Sequence, residues 1–242
     1  MCNLNRKWMT LDKIERLNVE RFFEVGVGGG DVIVALGERG LHGDGIDLSE
    51  QAIQICQERI RRAGLDDNLS VHQGDLLSAP TDTTYDLVIA FEVLEHIEDD
   101  RAALEAIRAL LVPDGYLLLS VPAHMSKWGA TDVWAGHVRR YERDELLEKL
   151  RAARFTVRES LSVGYPLLNV TRHLRNLIYN RDLERNEPAE ERTGRSGVSR
   201  PALGRLLQPV IPFYSWLVYQ TQRPFLHSDM GEGYFVLAQR DE

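Results

Sequence analysis

The chain has 242 residues, a formal net charge of −8 and 43% hydrophobic residues. That balance suits one large domain, or a domain carrying a sizeable insertion, and excludes disorder along the whole chain. The acidic charge argues against a broad phosphate-binding face, so no nucleic-acid partner is expected. Cys2 and Cys56 make no disulfide framework, and the expected compartment is reducing and cytoplasmic. There is no run of 18 apolar residues and no signal-peptide core at the start, so neither a membrane span nor a leader is expected.

Residues 1–20 are predicted to form a short helical extension. From there to residue 163, apolar runs of strand length alternate with helical patterns. Strands are predicted at 21–25, 42–46, 69–73, 85–91 and 116–121, and helices at 31–39, 50–63 and 99–111. A helix at 143–153 leads into a strand at 155–161. Such alternation implies parallel strands joined by right-handed crossovers. Ser49 can cap the helix after it, and Pro113-Asp114-Gly115 reads as a turn. Residues 87–90 are apolar throughout, as in a strand buried on both faces. The pattern then breaks. Residues 164–232 read as a helical insertion before a last strand at 233–239, so the main domain is expected to comprise 21–163 and 233–242. Inside the insertion, 167–179 predicts a helix. Residues 181–200 are charged, with Gly, Ser and Pro, and read as a mobile loop. Residues 201–225 are apolar and aromatic, broken by Pro209, Pro212 and Pro224.

The first strand ends in Phe23-Glu24-Val25-Gly26-Val27-Gly28-Gly29-Gly30 and runs straight into a helix. Glycines there allow a tight turn and let a ligand approach backbone N–H groups. The second strand ends in Asp47, 23 residues beyond Glu24, where a carboxylate can accept from both ribose hydroxyls. Together these point to a nucleoside-containing ligand. The spacing is acidic-x-G-x-G-x-G, not the dinucleotide G-x-G-x-x-G. A carboxylate just before the glycines suits a ligand with an ammonium group and repels pyrophosphate. S-adenosylmethionine has an ammonium, a sulfonium and a ribose.

At this point the chain resembles the class I S-adenosylmethionine-dependent methyltransferases, over about residues 21–161 and 233–239. The resemblance rests on five ordered blocks. The glycine-rich turn matches the first motif. Asp47 matches the ribose carboxylate, with Leu48 flanking adenine. Gly74-Asp75-Leu76 matches the adenine motif, with Asp75 accepting from the exocyclic amine. Residues 85–91, ending in Phe91, match the fourth strand, and Leu110 to Tyr116 match the turn into the fifth. The implied fold is α/β and Rossmann-like, with a seven-stranded, mostly parallel sheet whose last strand is antiparallel. The implied cofactor is S-adenosylmethionine.

Just past the fourth strand stands Glu92-Val93-Leu94-Glu95-His96. Were it helical, spacings of three and four would put Glu92, Glu95 and His96 on one side. Two carboxylates and an imidazole can bind a divalent metal such as magnesium. His137, in Gly136-His137-Val138-Arg139-Arg140-Tyr141, is a further candidate ligand. The arrangement resembles metal-assisted 2′-O-methyltransferases of small RNAs and catechol-type O-methyltransferases of ubiquinone synthesis. There, an E-x-x-E-H block and a later His hold a cation near the accepting hydroxyl. A metal-free site with His96 or His137 as general base and Glu95 beside it is the alternative. A packing role for the block is a third.

Trp128 and Trp134 flank the loop expected at the mouth, where they can close over an acceptor or simply pack. Arg139 and Arg140 can grip an anionic substrate group, but a salt bridge to Glu142 or Asp144 is the simpler expectation. Cys56 reads as core. Residues 206–219, rich in aromatic and apolar side chains and flanked by Arg200, Arg205 and Arg223, suit a lid over a hydrophobic acceptor. They also suit a homodimer surface, or peripheral contact of 201–225 with the inner face of a membrane, but ordinary packing is the simpler expectation. The expected activity is O-methylation of a small or lipid-linked acceptor. N-methylation of a headgroup or metabolite amine is the alternative, and a catalytically silent cofactor-binding module for a partner protein is the rival from another class.

Overall fold

The computed structural model describes residues 3–79, 82–183 and 211–242. Seven strands, β1 (Arg21–Val25), β2 (His42–Asp47), β3 (Leu69–Gln73), β4 (Tyr85–Phe91), β5 (Leu111–Pro122), β6 (Phe155–Val163) and β7 (Gly233–Arg240), form one sheet ordered β3-β2-β1-β4-β5-β7-β6. β1 through β5 pair in parallel, and β7 lies antiparallel between β5 and β6. This is the mostly parallel sheet expected, with its last strand reversed.

Alternation along the central strands explains the layering. Phe23, Val88, Ala90, Leu117 and Leu119 pack with α4 (Asp100–Ala109) and α6 (Arg143–Ala152) through Leu104, Ile107, Leu146 and Leu150. Their neighbours Phe22, Leu87, Ile89 and Leu118 face α1 (Asn3–Ile14), α2 (Asp31–Gly37) and α3 (Glu50–Ala63) through Ile14, Ile33, Leu36 and Cys56. Residues 87–90 are fully buried, as their sequence implied. Ser49 Oγ accepts from the Ala52 N–H at 3.3 Å, capping α3 as expected. The strand order reverses between β1 and β4, which opens a crevice at their C-terminal ends.

Several boundaries differ from expectation. β5 starts at Leu111, so Pro113-Asp114-Gly115 is an irregularity inside the strand and not a turn before it. Asp114 takes a φ of 62°, the register to β4 shifts between Tyr85 and Leu87, and Gln239 Nε2 donates to the Asp114 carbonyl at 2.8 Å. A bulge tied to a neighbouring strand thus replaces a free turn. The 92–96 block is not a helix: Glu92 has a φ of 56° and only Leu94–His96 makes a 3-10 turn.

Before β7, α7 (Leu167–Leu183) packs on α5 (Ala130–Ala135), and α8 (Ile211–Gln222) packs on α1. Asn176 Oδ1 accepts from Thr131 Oγ1 at 2.8 Å, and Trp134 meets Tyr179 edge-to-face at 4.9 Å. Trp8 meets Tyr219 in the same way at 5.5 Å. Most of the loop expected at 181–200, and residues 201–210 of the apolar stretch, lie outside the described residues. Among the described residues, no helix is long and apolar enough to cross a membrane.

Candidate functional site

The end of β1 delivers Glu24 into the interior, 4% exposed, with Oε2 lacking any hydrogen-bond partner. Burial pushes its carboxyl well above the usual carboxylate range, against the backbone of Ile33 and the charge of Arg6. The chain then turns through Gly26, Gly28 and Gly30, with φ of 75°, 50° and 79°. At Gly30 a Cβ would lie 2.8 Å from Cys56 Sγ, so space and backbone angle both exclude a side chain. The N–H groups of Gly26 and Val27 donate to the Ile46 carbonyl at 2.8 and 3.1 Å, pinning the turn onto β2.

At the end of β2, Asp47 accepts from the Gly28 and Ser49 N–H groups, each at 2.9 Å. Leu48 beside it is 70% exposed, so an apolar surface stands next to this carboxylate. Glu24, Gly26, Gly28, Gly30, Asp47 and Leu48 are therefore brought to one rim. Val27 and Leu76 are core residues, 4% exposed each, and only their backbones remain for a ligand. Asp75 caps the turn after β3 by accepting from the Leu77 N–H at 3.1 Å. Phe91, at the end of β4, lies under the Arg6 guanidinium at 6.0 Å.

The second half of the site lies beyond β4 and β5. Glu95 is completely buried, and neither carboxylate oxygen has a hydrogen-bond partner. Burial, and then the neighbouring Glu92 charge, push its carboxyl well above the usual range. His96 Nδ1 is buried and without a hydrogen-bond partner. Burial, reinforced by His137, brings this imidazole down to about 4, against a hydrogen bond with the Gly136 backbone. The His96 and His137 rings stand 4.8 Å apart, edge to face. His137 Nε2 is 3.8 Å from Glu95 Oε1, and ligand atoms of Glu95, His96 and His137 all lie within 4.8 Å of one another.

Glu92 does not join that group. Its positive φ removes it from the helical face that the spacing argument assumed, and Ser120 Oγ donates to its Oε1 at 3.0 Å. Arg6 Nη1 is 3.6 Å away. Burial opposes ionisation of Glu92, but the charges of Arg6 and His137 and the Ser120 bond hold its carboxyl below the usual range.

Asp132 is the residue that sequence reasoning missed. Its side chain is 1% exposed, and Oδ1 accepts from His137 Nδ1 at 2.9 Å and Arg140 Nε at 2.8 Å. Oδ2 accepts from the Gly129 N–H at 2.9 Å. Burial works against ionisation, but the His137 and Arg140 hydrogen bonds hold the carboxyl below its ordinary range. An ionised carboxylate only accepts, so His137 presents an Nδ1–H to Asp132 and turns Nε2 towards Glu95. The available signal was Asp132 five residues before His137, with Gly136 between them. Gly136 ends α5 with a φ of 76° and sends the chain back over Asp132.

The arginines find other partners than those expected. Arg139 Nη1 pairs with Asp100 at 2.7 Å, and Arg140 pairs with Asp132, whereas Glu142 takes His124 Nδ1 at 3.0 Å. The return of the chain after α5 turns both guanidiniums inward, away from the start of α6. Trp134 packs on α7, and Cys56 is fully buried as expected.

Residues 5–160 match a family model described as a methyltransferase domain. A ubiquinone biosynthesis O-methyltransferase of Paraburkholderia xenovorans (strain LB400) is 31% identical over 110 residues, 46% of this chain and 47% of the relative. The enzyme of the same name from Aeromonas salmonicida (strain A449) is 29% identical over 113 residues, 47% of each chain. The chain thus spans about half the length of the curated relatives it matches. Among solved structures, the 4+2 cyclase SpnF shares the fold with a TM-score of 0.66 at 20% identity, over 97% of this chain and 80% of that one. Magnesium protoporphyrin IX methyltransferase from Synechocystis PCC 6803, with bound SAH, gives 0.58 at 14% identity, over 99% and 85%.

Proposed function

This chain belongs to the methyltransferase-domain family, within the class I S-adenosylmethionine-dependent methyltransferases, and we propose that it methylates a hydroxyl of a small or lipid-linked acceptor. The observation that carries the acceptor side is the convergence of Glu95, His96 and His137 within 4.8 Å. When bound, S-adenosylmethionine would supply a sulfonium methyl for in-line attack by the acceptor oxygen, with S-adenosylhomocysteine as the leaving group. Glu24, buried with an unpartnered oxygen, suits the cofactor's ammonium. Asp47 suits its ribose hydroxyls, Leu48 a face of its adenine and Asp75 the adenine amine.

On the acceptor side, the Nε2 lone pair of His137 takes the hydroxyl proton, and Asp132 holds that tautomer and stabilises the imidazolium that results. In the alternative arrangement, Glu95, His96 and His137 would hold a divalent cation, with His137 Nε2 a ligand and not the base. Both Glu95 oxygens and His96 Nδ1 are buried without hydrogen-bond partners, which a cation would satisfy. Two imidazoles and one carboxylate favour a first-row ion such as manganese over magnesium, which prefers oxygen ligands. Such an ion would lower the hydroxyl pKa. The exposed, stacked pair Phe213 and Trp216 on α8, ring centroids 6.0 Å apart, supports an apolar acceptor.

The test is transfer of labelled methyl from S-adenosylmethionine into extract of the source cell, split into organic and aqueous phases, with and without chelator. Organic-phase label that chelator suppresses supports both the acceptor class and the cation. Glu95→Ala and His137→Ala should each abolish transfer and spare S-adenosylhomocysteine binding. If both variants turn over normally, the site is elsewhere. Label on an amine would replace the hydroxyl reading, and cofactor binding without turnover would support a silent binding module.

A further inference from the structure

Beside the acceptor side lies a second cluster of charge, contributed by α7, the segment after α5 and the residues leading into β7. Glu232, 9% exposed, sits among three guanidiniums: Arg175 Nη2 at 3.4 Å, Arg172 Nη1 at 3.8 Å and Arg140 Nη1 at 3.9 Å. Lys127 adds a fourth cation, its Nζ donating to the Met230 carbonyl at 2.9 Å. Among the described residues, these four face three carboxylates, Glu232, Asp132 and Asp229, and Asp132 already serves His137. Burial, and then the like charges of Arg172 and Arg140, hold the Lys127 ammonium below its usual range, against Glu232 and Asp229.

The hydrogen bonding is incomplete in the same place. Arg175 Nε is a buried donor without a hydrogen-bond partner, while Glu232 Oε1 and Asn169 Oδ1 are buried acceptors without one. A buried donor left unmatched beside surplus cations is what an incoming oxyanion satisfies. The guanidiniums are reachable, with Arg172 and Arg175 side chains 25% and 33% exposed. Arg140 links this cluster to the proposed base, since its Nε is 2.8 Å from the Asp132 oxygen that also accepts from His137.

We propose that Arg172 and Arg175, backed by Arg140, bind an oxyanion group, a carboxylate or a phosphate, carried by the acceptor. This deepens the acceptor side of the proposed function and rests on it. The acceptor is then an anionic hydroxyl compound, anchored at α7 by its charge while its hydroxyl faces His137.

The test reads binding alone, on the full chain saturated with S-adenosylhomocysteine. Benzoate and phenyl phosphate are titrated beside their uncharged counterparts, benzyl alcohol and phenol. At least one anion should bind about tenfold or more tighter than its counterpart, and which of the two does so distinguishes carboxylate from phosphate. Arg172→Gln and Arg175→Gln should each remove most of that preference. Arg175→Lys, which keeps the charge and lowers the risk of misfolding, should retain part of it, and Arg223→Gln, outside the cluster, should retain all of it. Equal affinity for charged and uncharged probes, or a preference unmoved by both glutamine variants, overturns the proposal. Oxyanion binding that persists in a chain unable to transfer methyl would count against the methyl-transfer reading and leave this site standing.

Discussion

Asp132→Asn is the substitution that separates positioning from packing at this site. The carboxylate accepts three hydrogen bonds at 2.8 to 2.9 Å, from His137 Nδ1, Arg140 Nε and the Gly129 N–H. An asparagine of the same shape can match only part of that set. If its amide nitrogen faces Gly129, donor meets donor at the start of α5. If the nitrogen faces the other way, Arg140 meets a donor, and His137 is driven to the tautomer with its proton on Nε2, which removes the lone pair beside Glu95. Leaving one buried donor unmatched and a buried guanidinium with only the more distant Glu232 as countercharge costs about 3 kcal/mol. For a domain of this size that is a fall in Tm of roughly 6–12 °C. Loss of the correct base tautomer should lower kcat by about 100-fold or more, with S-adenosylhomocysteine affinity near normal. The assays are thermal denaturation, steady-state methyl transfer and nitrogen NMR of the His137 ring. A variant with the expected loss of Tm but a kcat within about threefold of the parent would refute the tautomer argument.

Two further outcomes follow from the geometry. Asp47→Ala removes the acceptor of the Gly28 and Ser49 N–H groups as well as the proposed ribose contact. S-adenosylhomocysteine affinity should fall more than about tenfold, and near-normal affinity by calorimetry would exclude the ribose assignment. Asp100 accepts from Lys149 Nζ at 2.7 Å and Tyr141 at 3.0 Å, and pairs with Arg139 at 2.7 Å. Burial raises its carboxyl, but the Lys149, Arg139 and Tyr141 bonds outweigh it, so the folded value lies below the ordinary 3.8. Stability from this group is therefore complete above that ordinary value and is lost as pH falls through the lower folded one. Asp100→Asn should be less stable than the parent at pH 7 by about 2 kcal/mol, and the gap should narrow on acidification below pH 4. A gap that stays constant in urea titrations at both pH values would show that the charge is immaterial.

Much of the scaffold was legible because its signals are local. The glycine-rich turn, Ser49 as a helix cap and the apolar run at 87–90 each follow from conformational freedom, capping or burial within a few residues, and each stands where expected. The bulge at Asp114 was not legible, because its backbone angle is held by Gln239 of β7, 125 residues away. The E-x-x-E-H block was legible as chemistry and misread as geometry. Its spacing suggests one helical face, but Glu92 bonds to β5 through Ser120, and the group that forms is Glu95, His96 and His137.

The sequence by itself determined the α/β alternation, the family resemblance and the rim of Glu24, the glycines, Asp47 and Leu48, because each is encoded by neighbours along the chain. Only the tertiary structure decided which ionisable groups face one another. That Asp132 orients His137, that Arg139 turns to Asp100 and not to Glu142, and that three arginines surround Glu232 depends on α5, α7 and the approach to β7 packing together. Charge partners are chosen by distance and burial, and both are properties of the assembled layers and not of the order of residues.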